Sequence, residues 1–190
     1  MQSTSAPDWD MYRQGDESAF ERIYFAHVNA LYDYGLRMTH DAGLVEDCIQ
    51  DLFFTLWSKR LQIGAVRAVR PYLLVSLKRK IIRKRLSEQK KSISVSEYPN
   101  KIPVFEPDET EGISEETHRC LQQAFATLSD RQREAIYLKF YNQLTYEEIA
   151  EVMSVQVKAI YKLMARAILT LRTTIESPEL VLALIAIVAS

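Results

Sequence analysis

Lys158, Ala159, Tyr161, Lys162, Ala165 and Arg166 recur on one side of a segment whose other side is apolar. Two ammonium groups, a guanidinium, a phenol and two methyls suit hydrogen bonds to phosphates and contacts with base edges. A second group, Lys78, Arg79, Lys80, Arg83, Lys84 and Arg85, crowds six cations into eight positions. Such charges repel one another, and a polyanion such as a phosphate backbone relieves the repulsion. Tyr72, just before them, offers a ring on which an unpaired base can stack. Packing against Leu56 or Trp57 is its alternative role. A third group, Asp47, Gln50 and Asp51, sets two carboxylates and an amide on one flank of a helical pattern. That flank suits an Arg-rich partner helix, and a solvated face is the plainer alternative.

None of these groups is a catalytic constellation. His27, His40 and His118 lack metal-ligand spacing, and no glycine-rich phosphate loop is present. No metal site and no cofactor are therefore expected. Cys48 and Cys120 sit in helical patterns without partner spacing and read as small buried hydrophobes.

Helices must position these groups. With 47% hydrophobic residues but only 5 Gly and 6 Pro in 190, the composition points to an all-α fold. Thr145 and Glu148 have the spacing of a capping box, ahead of Ile149, Val152 and Met153 on a short helix. After a turn near Ser154–Gln156, the residues Ile160, Leu163, Met164, Ala167, Ile168 and Leu171 mark the apolar face of a longer one. Together they read as a helix-turn-helix whose second helix fits a major groove. Ser129 and Gln132 suggest another capping box for a helix through Phe140.

Further upstream, Phe20, Ile23, Tyr24, His27, Leu31, Tyr34 and Met38 trace one face of a helix that begins near Asp16. A second helix, from about Asp41 to Lys59, should bury Val45, Cys48, Ile49, Leu52, Phe53, Leu56 and Trp57. Residues 62–69 read as a loop around Gly64. Pro71 then opens a third helix, where its missing N–H is no loss. That helix should turn Leu73, Leu74, Leu77, Ile81 and Ile82 inward and its cations outward.

The net charge of −1 hides strong segregation. Between Lys59 and Lys91 stand 12 Lys or Arg against the single acid Glu88, whereas Glu106 to Glu116 carries six acids and no base. This points to a local polyanion-binding surface. Residues 87–114, rich in Ser and Pro without apolar periodicity, read as a flexible linker. The expected organisation is a helical domain over 10–86, the linker 87–114, a helix-turn-helix domain over 115–176 and an apolar tail over 177–190. Leu180–Ala189 is too short to span a bilayer and is expected to form a terminal helix buried against another surface. The first residues lack the features of a signal peptide, so a cytoplasmic protein is expected.

The motifs and their order resemble those of bacterial RNA polymerase sigma factors, in the small two-domain extracytoplasmic-function (ECF) class. Leu128-Ser-Asp-Arg-Gln-Arg-Glu-Ala-Ile136, Leu144-Thr-Tyr-Glu-Glu-Ile-Ala150, and Arg166-Ala167 with Leu171-Arg172 match that family's promoter-reading domain. Val45-Glu-Asp-Cys-Ile-Gln-Asp-Leu-Phe-Phe-Thr-Leu-Trp57 resembles the segment that docks on the polymerase clamp helices, and Ala19-Phe20 with Tyr24 fits the family's first helix. The resemblance implies core RNA polymerase and promoter DNA as partners, with an anti-sigma factor as a further candidate. It implies a non-enzymatic promoter-specificity subunit that reads −10 and −35 elements. Asp47, Gln50 and Asp51 would bind polymerase. Tyr72, Lys78, Arg79, Lys80 and Arg83 would meet the melted element, and Lys158, Ala159, Tyr161, Lys162 and Arg166 the upstream one. This chain departs from the family pattern at Tyr72, commonly Trp, and at Arg79 and Arg83, which align with Asn and Asp. It departs again at Ser154, usually Gly, at Ala159, often Thr or Ser, and at Leu163, usually Lys or Arg. A polymerase-independent helix-turn-helix regulator with a sensing domain, and a helical scaffold, are the competing readings.

Overall fold

The structure, a computed structural model, describes residues 6–91, 119 and 123–174. The chain divides into two compact units, Met1–Pro99 and Asn100–Ser190. Among the described residues the regular elements are helices. Cys120, His118, most of the expected linker and the apolar tail lie outside the described residues.

In the first unit, α1 (Ala6–Arg13), α2 (Glu17–Thr39), α3 (Ala42–Ser58) and α4 (Val69–Lys91) pack together. Local chemistry sets the starts of α2 and α3. The Asp16 carboxylate accepts from the Ala19 N–H at 2.8 Å, and the Asp41 carboxylate accepts from the Leu44 N–H at 3.0 Å. Each satisfies a backbone donor that has no partner within its own helix. His40 ends α2 in the left-handed region, at φ 57°. The core is Ile23, Leu31 and Tyr34 of α2, the apolar face Val45–Leu56 of α3, and Leu73, Leu74, Leu77 and Ile81 of α4. Helices α2 and α3 meet closely at Gly35, where an added Cβ would stand 2.6 Å from Cγ1 of the buried Val45.

The sequence pattern and the structure part at four places in this unit. Helix α1 was not expected, yet its Trp9 and Tyr12 are among the most buried side chains. Trp57, expected in the core, is half-buried under the Arg60 guanidinium, 4.6 Å from its ring. Ile82 is 43% exposed rather than inward, because it follows Ile81 around the helix onto the outer side. Helix α4 also continues through Ser87–Lys91, into the expected linker, since Lys and Gln sustain a helix that their polarity alone does not announce.

In the second unit, residues 123–126 are helical and bury Ala124 and Phe125, and α5 (Asp130–Phe140), α6 (Tyr146–Met153) and α7 (Val157–Thr174) follow. Both expected capping boxes form. The Ser129 N–H donates to Oε1 of Gln132 at 2.8 Å, and the Thr145 N–H donates to Oε2 of Glu148 at 2.8 Å. Ile136, Leu138, Leu144, Ile149, Val152, Ile160, Met164, Ala167 and Leu171 close the core.

His27 is a buried polar group in the first unit's core, 4% exposed, and neither ring nitrogen has a hydrogen-bond partner among the described residues. Burial, and then the charge of Arg70, push its pKa from 6.5 down to about 4. Above the unfolded value both states are neutral and the full stability is present. As pH falls from 6.5 towards 4, the unfolded state takes up the proton first, so stability drains away across that window. The loss should total about 3 kcal/mol. Denaturant titrations at neutral pH and at the acid end of the window should show it, and His27→Leu should lose less stability on the same descent.

Candidate nucleic-acid interface

Helix α7 presents its expected face. Lys158, Ala159, Tyr161, Lys162 and Arg166 are all exposed, while Ile160, Met164, Ala167 and Leu171 anchor the opposite side. Leu163 and Ile168 are half-buried at the margin. The Tyr161 ring stands edge-to-face against Tyr146 of α6, with centroids 4.6 Å apart at 82°. The Lys139 ammonium of α5 lies 5.5 Å from the Tyr146 ring centroid. Three helices thus meet at one aromatic contact, which restricts the ring that projects from α7. Burial, and then Tyr161, raise the Tyr146 pKa.

The turn between α6 and α7 is tight. Ser154 sits in the left-handed region at φ 54° and ψ 47°, and the Val155 N–H donates to the Ala150 carbonyl at 3.0 Å. This geometry usually calls for glycine. It sets the angle at which α7 leaves α6, and so the angle at which its exposed face is offered.

On α4 the structure sorts the cations that the sequence grouped together. Lys80 donates to Oγ1 of Thr55 at 3.2 Å, Lys84 to Oδ2 of Asp47 at 2.6 Å, and Arg85 to the Met38 carbonyl at 3.1 Å. These side chains reach back to α2 and α3. The hydrogen bond to Asp47 raises the Lys84 pKa and keeps the ammonium charged. Lys78 is half-buried, whereas Arg79 and Arg83 are exposed. Tyr72, Arg79 and Arg83 follow one another at i, i+7 and i+11, so they line one outer stripe of α4 over about 16 Å. Tyr72 itself is half-buried, and its ring packs edge-on against Trp9 of α1, with centroids 5.3 Å apart at 71°. That neighbour is neither of the two considered from sequence, and the ring keeps solvent contact.

Asp47, Gln50 and Asp51 are exposed along one flank of α3. Asp47 is shared with Lys84, so this acidic flank and the basic helix touch through one ion pair. Phe54, 73% exposed, continues the same flank at i+7 from Asp47. The sequence reading passed over it, although the 47, 50, 51, 54 spacing was the available signal. Among the described residues no cluster of His, Cys, Asp or Glu could hold a metal ion, and no helix is long and apolar enough to cross a membrane.

Residues 23–91 match the family model for sigma-70 region 2, and residues 118–171 the model for sigma-70 region 4. The chain is 23% identical over 164 residues to the ECF RNA polymerase sigma factor SigK of Mycobacterium tuberculosis H37Rv, covering 85% of this chain and 88% of that one. Similarity to the SigK of Mycolicibacterium vanbaalenii is 27% over 163 residues, covering 84% of this chain and 83% of that one. Two solved structures share the fold. CnrH in complex with the cytosolic domain of CnrY has a TM-score of 0.58 and 18% identity, over 90% of this chain and 96% of that one. The sigma factor RpoE of Bartonella quintana, in complex with the anti-sigma factor NepR, has a TM-score of 0.58 and 22% identity, over 84% and 98%.

Ser154→Gly should relieve about 1–2 kcal/mol of left-handed strain. It should also add about 0.5–1 kcal/mol of unfolded-state entropy, leaving a modest net stabilisation. The melting transition of the second unit should rise by a few degrees, and Ser154→Val should lower it. A drop with Gly would mean that the serine hydroxyl holds the turn.

Proposed function

The chain belongs to the sigma-70 family as an ECF-class RNA polymerase sigma factor and is a promoter-recognition subunit, and from that premise we propose how its two units divide the work. The first unit docks on core RNA polymerase through Asp47, Gln50 and Asp51 of α3. It then meets the melted −10 element along α4, with Tyr72 beneath an unpaired base and Arg79 and Arg83 on phosphates. Lys78 and Lys80 flank that path. The second unit sets α7 in the major groove of the −35 element, where Lys158 and Arg166 steady the helix on phosphates while Ala159, Tyr161 and Lys162 face the bases.

The observation that carries this reading is the arrangement of α4. One stripe fills the core while the opposite stripe aligns an aromatic ring with two exposed arginines. Rings stack on bases regardless of their identity, and guanidiniums pair with phosphates in two-pronged fashion. A polymerase-independent regulator would need a sensing domain where this chain carries the region 2 match. The factor adds no bond-making chemistry of its own, and it acts in the cytoplasm, where polymerase and promoter are found. An anti-sigma factor that covers these faces is a proposed further partner, in keeping with the RpoE of Bartonella quintana, which was solved in complex with the anti-sigma factor NepR.

Transcription in vitro with core polymerase on a library of genomic fragments tests the reading. Discrete start sites should appear only when the factor is added. Asp47→Lys with Asp51→Lys should weaken core binding and reduce co-elution, since truncating a buried, paired interface charge costs about 2–5 kcal/mol and reversal at least as much. Unchanged co-elution, with the helical circular dichroism intact, would remove α3 from the docking surface.

A further inference from the structure

Helix α1 lies outside both matched family segments, which begin at residues 23 and 118. It nevertheless makes three hydrogen bonds to residues far away in the sequence of the first unit. The Trp9 indole Nε1–H donates to the Gly64 carbonyl at 3.2 Å. Arg13 donates from Nε to the Ile63 carbonyl at 2.7 Å, and the Tyr12 hydroxyl donates to the Leu56 carbonyl. Arg22 of α2 holds Asp8 at 2.8 Å, which fixes the start of α1 on the body of the unit. Three side chains within little more than one turn of a short helix thus grip the end of α3 and the connection that leads into α4.

The Leu56 carbonyl closes α3, whereas those of Ile63 and Gly64 belong to the connection beyond the turn in which the Gln62 and Ile63 N–H groups donate to the Lys59 carbonyl. Leu61 is 81% exposed and Gly64 has open space where a side chain would be. Segments of this kind wander unless their backbone acceptors are tied down. The tie comes from Trp9 and Arg13, and Trp9 has a second role. Its ring packs against both Tyr72, 5.3 Å between centroids, and Tyr12, 5.1 Å. Tyr12 in turn stacks with Phe20 at 5.6 Å. The Tyr72 ring is therefore buttressed by a ladder of rings that ends in the core.

We propose that Trp9, assisted by Arg13, is a positioning residue for promoter opening: it presets the Tyr72 ring and the 63–64 backbone in the geometry that captures an unpaired base. The proposal rests on the reading that Tyr72 is the stacking platform. A platform held in place before the base arrives does not lose rotamer freedom on capture, so more of the stacking energy goes into keeping the strands apart. The capture step, rather than the first encounter with duplex DNA, is where the buttress acts.

The test uses holoenzyme reconstituted with core polymerase, on a promoter fragment carrying 2-aminopurine in the melted element. Closed-complex affinity and the rate of isomerisation to the open complex are separated by varying enzyme concentration. Trp9→Phe keeps the ring but removes the indole donor, and Arg13→Met removes the second donor. The double variant should isomerise about tenfold more slowly, the worth of roughly two hydrogen bonds. Its closed-complex affinity should stay within about twofold, and Arg13→Lys should recover part of the rate. Tyr72→Ala is the reference, because it removes the platform itself. If Tyr72→Ala slows isomerisation and the α1 variants do not, the positioning role is wrong although the platform stands. If Tyr72→Ala has no effect, the platform reading fails and the proposal falls with it. If rate and affinity fall together in step with the loss of folded protein by circular dichroism, α1 is only a stabilising helix and the proposal is overturned.

Discussion

Repulsion among the cations of α4 is opposed from two sides. Beneath the helix, Leu73, Leu74, Leu77 and Ile81 are all at most 1% exposed. Burial of four such side chains contributes about 6–12 kcal/mol. Like-charge neighbours on a screened helix surface cost only tenths of a kcal/mol per pair, so the apolar face decides that the helix forms. Beside the helix, Thr55, Asp47 and the Met38 carbonyl take hydrogen bonds from Lys80, Lys84 and Arg85. Of the six cations between Lys78 and Arg85, the two that remain most exposed, Arg79 and Arg83, are those aligned with Tyr72. Charge that the fold cannot compensate is thereby left on a single stripe, where a phosphate backbone can do so.

The same division recurs in the second unit with less strain on the helix itself. There α7 carries fewer cations and spreads them over its exposed side, and its bearing is set by the left-handed Ser154 and by the Thr145–Glu148 box. The Tyr146–Tyr161 contact then restricts one side chain on the reading face. In both units a buried stripe orients the helix, and a neighbouring aromatic orients the ring that the helix presents. The Asp47–Lys84 pair joins the proposed polymerase flank to the basic helix, so a partner that takes Asp47 also alters the charge available on α4.

Much of this was legible in the sequence because it follows from periodicity and caps. Both capping boxes stand at the residues that the spacing marked, and so do the apolar faces of α2, α3, α4 and α7 at their centres, with Phe20, Tyr24, Met38, Trp57, Leu163 and Ile168 at the margins and Ile82 outside. What escaped depends on contacts between residues far apart in sequence. Eight residues of α1 carry too few apolar positions to show a period, and Trp9 and Tyr12 acquire their meaning only beside Gly64, Tyr72 and Leu56. Six cations within eight positions look equivalent until neighbouring helices take some of them. Ile82 and Phe54 are apolar yet outward, a choice that composition does not reveal. The family resemblance supplied the roles of the segments, whereas the partners of Tyr72 and Lys84 came only from the packing.

The central claim is that the outer stripe of α4 meets DNA phosphates. Its most direct test is the salt dependence of promoter binding by holoenzyme carrying Arg79→Gln and Arg83→Gln, compared with the unaltered factor. Each phosphate contact contributes about one unit to the slope of log binding constant against log salt. The account therefore predicts a slope shallower by about two units, with the fold unchanged by circular dichroism. An unaltered slope would contradict it, and would place the stripe of Tyr72, Arg79 and Arg83 away from the nucleic acid.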